Sequence, residues 1–85
     1  MSIKVVYKEA SDHGRTVREF LHDFKRRTGY DIEVLDPETR QGTEIARVYD
    51  IVEYPTIIAL AERGEVRNMW RGLPLPTIDE VSYYV

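Results

Sequence analysis

Tyr49-Asp50-Ile51-Val52-Glu53-Tyr54-Pro55-Thr56-Ile57-Ile58-Ala59-Leu60 sets a helix end, a break and a buried strand next to one another. From Thr56 to Ala61 the residues are almost all apolar over strand length, the pattern of a strand covered on both faces and usually central in its sheet. Pro55 has no N–H and drives Tyr54 toward extended backbone, so the preceding element must stop before it. That element carries Ile45, Val48 and Tyr49 at helical spacing. It predicts a helix within Glu38 to Tyr49 whose early part, around Gly42, is poorly determined because glycine disfavours a helix interior.

Downstream, Glu62-Arg63-Gly64-Glu65 supplies a glycine turn, and Val66-Arg67-Asn68-Met69-Trp70 alternates apolar with polar residues. The two runs therefore form an antiparallel hairpin. Gly72-Leu73-Pro74-Leu75-Pro76 is a break. Thr77-Ile78-Asp79-Glu80 fits a capping box and opens a short terminal helix that carries Val81, Tyr84 and Val85.

Upstream, Ile3-Lys4-Val5-Val6-Tyr7-Lys8 reads as a strand, followed by the polar stretch Glu9 to Gly14. Val17, Phe20, Leu21 and Phe24 recur at i, i+3, i+4 and i+7, which places four large apolar side chains on one helical stripe. Ser11 or Asp12 is expected to cap this helix, and Lys25-Arg26-Arg27 complements its dipole before Gly29 closes it. Asp31 to Leu35 alternates charged and apolar residues up to Asp36-Pro37, the pattern of a second strand. The order β-α-β-α-β-β-α follows, and right-handed crossovers give an α/β sheet in the spatial order second, first, third, fourth strand.

The 85 residues suffice for one domain, 1–85, with no room for a second. Hydrophobic residues at 42% and charged residues at 32% are the proportions of a globular chain. A net charge of −3 gives no attraction to nucleic acid or anionic lipid, so neither is an expected partner. The N-terminal residues lack a secretory h-region and no apolar run approaches a membrane span, so a cytoplasmic location is the default expectation. The absence of cysteine removes disulfides, thiolate nucleophiles, Cys-containing zinc sites and iron–sulfur clusters.

The element order, together with Tyr49 to Thr56, Gly64-Glu65-Val66 and Gly72, resembles the thioredoxin-like superfamily. The resemblance is residue by residue over about 44–85 and by element order alone over the first half. It implies that Pro55 is cis and lies against the entrance of the first helix. It also implies that the backbone of Tyr54 faces a groove for extended peptides. Aligned on the Val17 to Phe24 stripe, Ser11-Asp12-His13-Gly14 falls where the family carries its C-x-x-C motif, with Ser11 for the nucleophilic and Gly14 for the resolving cysteine. A one-residue shift would move these roles to Asp12 and Arg15. In either register there is no thiol, and so no dithiol oxidoreductase activity.

Other chemistries have weaker support. A serine needs an adjacent base, and the consecutive Ser11, Asp12 and His13 do not aim at one another or sit in a nucleophile elbow. Resemblance to glutathione transferases would give Ser11 or Tyr7 a role in activating a small thiol, although the Glu/Gln-Ser pair of those proteins is replaced here by Val66 to Trp70. His13 and His22 show no metal-ligand spacing, no nucleotide motif is present, and no cofactor is expected. Arg15, Arg18, His22 and Lys25 make a basic stripe best read as a solvated face.

The leading expectation is a redox-inactive module that binds a protein or peptide partner between Ser11–Gly14 and Tyr54-Pro55-Thr56, as a monomer or weak homodimer. The rival readings are the small-thiol enzyme and an oligomerisation domain pairing through an edge strand or Tyr83-Tyr84-Val85, a tail more readily read as packed on the sheet.

Overall fold

The computed structural model describes residues 2–85. Its elements are β1 (Ser2–Val6), α1 (Gly14–Thr28), β2 (Glu33–Leu35), α2 (Arg40–Val48), β3 (Thr56–Leu60), β4 (Val66–Arg71) and α3 (Ile78–Ser82). The four strands form one mixed sheet in the order β2-β1-β3-β4. β1 and β2 are parallel, whereas β3 is antiparallel to both β1 and β4. This is the α/β architecture and strand order the sequence predicts.

The period-two alternation of strand side chains divides the core into two layers. Ile3, Val5 and Tyr7 of the β1 segment, with Ile57 and Ala59 of β3, face Val17 and Phe24 of α1 and Val81 of α3. Val6, Leu35 and Ile51 pack on the other face with Ile45 and Ala46 of α2 and Met69 of β4. All five residues of β3 are buried, as befits a strand with neighbours on both edges and helices on both faces. Phe24 is fully buried, and removing a side chain of its size from such a core costs about 3–5 kcal/mol.

Helix ends match the sequence signals in most places. Gly29 takes the left-handed conformation at φ 77° and its N–H bonds to the Lys25 carbonyl. Thr39 caps α2 by accepting from the Gly42 N–H. At the other end of α2, Ile51 N–H donates to Ala46 O and Asp50 N–H to Arg47 O, with Asp50 left-handed at φ 55°. This is a Schellman closure with an aspartate in the place usually given to glycine, and it turns Ile51 into the core. Thr77 and Glu80 form the reciprocal capping box of α3.

Three expectations are corrected. Neither Ser11 nor Asp12 caps α1; the N-cap is His13, with no side-chain cap. The second strand is only Glu33–Leu35, and Ile32 and Leu35 are buried while Val34 is exposed, so the charged–apolar alternation does not mark the covered face. The tail is not packed as a unit, because α3 stops at Ser82 and Tyr83 is 79% exposed while Tyr84 alone packs on the core.

Candidate functional site

The registers Val6↔Leu35, Val6↔Thr56 and Thr56↔Arg71 bring four loops to one end of the sheet. The segment 7–13 leaves β1 there, 36–39 leaves β2, 49–55 enters β3 and 72–77 leaves β4. Both predicted halves of the site, Ser11 to Gly14 and Tyr54 to Thr56, thus belong to the same end of the molecule. Among the described residues no hydrogen bond or ion pair joins them directly.

The first loop is held by its own backbone and by Tyr7. Gly14 is buried against Lys8 and Glu9 so tightly that a Cβ there would overlap the Glu9 carbonyl oxygen. The Gly14 N–H is taken by the Ser11 backbone carbonyl at 3.1 Å, and the Ser11 hydroxyl turns back to donate to the Lys8 carbonyl. The loop's own backbone therefore serves the start of the helix, which is why the expected side-chain caps are not used. His13 Nε2 accepts from the Lys8 N–H at 3.3 Å, and its ring centre lies 6.1 Å from that of Tyr7. Asp12 is exposed.

Tyr7 is buried, and its hydroxyl donates to Glu9 Oε2 at 2.7 Å while Arg18 donates to Glu9 Oε1 at 2.6 Å. Burial, reinforced by the hydrogen bond and charge of Glu9, pushes the Tyr7 phenol up to about 12. The Tyr7 bond, and then Arg18, hold the Glu9 carboxyl below its ordinary range. The Tyr7 proton is therefore engaged by Glu9. The Ser11 hydroxyl donates to the Lys8 carbonyl.

The second loop is fixed from both sides. The Tyr54–Pro55 bond is cis, as is Leu73–Pro74. Thr56 is fully buried and its hydroxyl donates to the Glu53 carbonyl at 2.6 Å, closing the turn across Tyr54-Pro55. The Pro55 carbonyl accepts from Gly72 N–H at 2.7 Å, and Arg71 Nη1 donates to the Asp50 carbonyl at 3.1 Å. Tyr54 itself is 37% exposed, and among the described residues its backbone N–H and C=O have no hydrogen-bond partner.

Two residues the sequence reading passed over join this site. Val52 is 76% and Leu73 57% exposed; Val52 lies two residues before Tyr54 in the chain, and Leu73 follows Gly72, whose N–H bonds to the Pro55 carbonyl. Leu73 sits in a stretch that reads only as a break, so its one signal was an apolar residue flanked by glycine and proline. The basic stripe of α1, in contrast, is largely paired: Arg15 with Glu19, Arg18 with Glu9 and Lys25 with Asp31. No helix among the described residues is long and apolar enough to cross a membrane.

No protein-family model matches the chain, and no curated protein sequence matches it. Among solved structures it is similar to thioredoxin 1 from the thermophilic eubacterium Thermosipho africanus, with a TM-score of 0.69 over 99% of this chain and 89% of that one, at 17% sequence identity. The sheet order, the crossovers and this structural likeness together give the chain a thioredoxin-like fold, built from a sequence without cysteine.

Proposed function

We propose that this chain is a redox-inactive binding module whose groove, between the Ser11–Gly14 loop and Tyr54-Pro55-Thr56, holds an extended segment of a partner protein. The observation that carries the proposal is the open backbone of Tyr54. A residue with a free N–H and C=O, braced on one side by the Thr56 hydroxyl and on the other by Gly72, is ready to add one rung of β-type pairing to an extended chain. Val52, Tyr54 and Leu73 supply exposed apolar surface around that rung, which suits a partner segment with apolar side chains. The hydroxyls of Ser11 and Tyr7 each donate to a neighbouring group of the same chain, which supports binding over thiol chemistry.

Affinity capture from native lysate tests the proposal, with the wild-type chain compared with Leu73→Ser and Pro55→Ala. Leu73 is exposed, so its replacement leaves the fold intact and isolates the surface contribution. A partner retained by wild type and lost by both variants supports the groove. A partner retained equally by all three places recognition elsewhere.

A further inference from the structure

Away from the groove, β4 and α3 enclose an open concavity lined by Asn68, Trp70, Asp79, Glu80, Tyr83 and Tyr84. Three of these six are aromatic, and their rings meet nearly at right angles. Trp70 and Tyr84 have ring centres 5.6 Å apart and planes 72° apart, and Tyr83 and Tyr84 are 5.1 Å and 81° apart. Asn68 Nδ2 donates to the Tyr84 hydroxyl at 3.1 Å and so fixes the central ring. Tyr83 packs its ring on Tyr84 yet stays 79% exposed.

The remaining two lining residues are carboxylates, and no lining residue is cationic. Glu80 spends Oε1 on the Thr77 N–H and hydroxyl, which leaves Oε2 without a hydrogen-bond partner among the described residues. Asp79 is reached only at the rim, by Arg27 Nη2 at 3.7 Å across two exposed side chains. An anion would meet two like charges there, and a neutral apolar group would strip water from carboxylates without replacing it. An organic cation gains from both components, because ring faces carry negative quadrupole potential and the carboxylates carry full charge.

We infer that this concavity is a binding site for an organic cation, the ammonium or guanidinium tip of a lysine or arginine side chain on a partner protein. The inference does not depend on the peptide groove.

Trp70 is the sole tryptophan, so its fluorescence reports the site directly. The full chain is titrated with blocked lysine amide, blocked arginine amide, tetramethylammonium chloride and tert-butyl alcohol, a neutral shape match for the last cation, at constant ionic strength. The inference expects a saturable Trp70 response to a blocked amino acid, with amide shifts confined to 68–70 and 79–84, and none to tert-butyl alcohol. Tyr83→Ala should weaken binding about two- to five-fold, the equivalent of one exposed cation–π contact. Asp79→Asn should weaken it in the same direction. Both residues are exposed, so both variants keep the fold. No saturable response to either amino acid, an equal response to the alcohol, or unchanged binding in Tyr83→Ala overturns the inference. Tighter binding of tetramethylammonium than of both amino acids overturns the assignment to a partner's side chain.

Discussion

Gly72 donates its backbone N–H to the Pro55 carbonyl at 2.7 Å, and this bond extends the β3–β4 ladder one step beyond the strands into the loops of the site. Gly72 adopts φ +71°, and a Cβ there would stand 2.8 Å from Glu53 Oε2. The left-handed backbone is the cost any side chain meets at this position, since the Glu53 carboxylate is the far end of a flexible side chain and can swing aside.

Gly72→Ala should destabilise the protein by about 1–2 kcal/mol, the cost of left-handed backbone for an L-residue. In a domain of this size that is a fall in melting temperature of roughly 4–16 °C. Thermal unfolding followed by circular dichroism measures it, and an unchanged midpoint would mean that the loop relaxes freely.

Gly42→Ala separates intrinsic propensity from packing. Helix propensity alone favours alanine by about 1 kcal/mol. Gly42 is nevertheless buried, and its Cβ would overlap the Asp36 carbonyl oxygen in the loop that leads into α2. Backbone yields less readily than a side chain, so the expected outcome is a net loss of about 1–3 kcal/mol, read by denaturant unfolding.

Tyr7 and Glu9 set opposite limits on stability with pH. The phenol is raised from 10.0 to about 12 in the folded protein, so the folded state binds its proton more tightly. Stability from this group is complete below pH 10 and is lost as pH rises from 10 toward 12. The Glu9 carboxyl is lowered, so its contribution is present above the ordinary glutamate range and is lost as pH falls through the folded value. Ultraviolet titration should show a tyrosine ionisation near 12 that is absent in Tyr7→Phe.

Asn68 guards the free edge of the sheet. Among the described residues β4 has no neighbour beyond it, and the bulge between Ala59 and Leu60 interrupts its pairing with β3. The Met69 N–H is taken by Asn68 Oδ1 at 2.7 Å, which removes a donor that another strand would need. Asn68→Val should lower stability by about 1 kcal/mol through the lost hydrogen bonds. It should also raise self-association in sedimentation experiments at high concentration.

The fold is legible in the sequence because burial leaves direct traces. The unbroken apolar run of β3, the helical stripe of α1 and the Thr77–Glu80 box each report on a local environment. The site is less legible because it depends on contacts between segments distant in sequence. The close approach of Gly14 to Glu9 leaves no pattern among neighbouring residues, so Ser11 and Asp12 read as caps that the loop backbone makes redundant. Leu73 becomes part of the site only through the Gly72–Pro55 bond, a consequence of hairpin register. Gly42 reads as a weakness of α2, whereas it is the residue that lets Asp36 pack against the helix.

Amide-shift mapping with a peptide selected from a random library against the folded chain most directly decides whether the open rung at Tyr54 is a recognition element. The groove reading expects the largest shifts at Tyr54, Thr56, Leu73 and residues 11–14, with affinity lost in Leu73→Ser. Selected peptides that bind tightly, leave these residues unmoved and tolerate that substitution would contradict it.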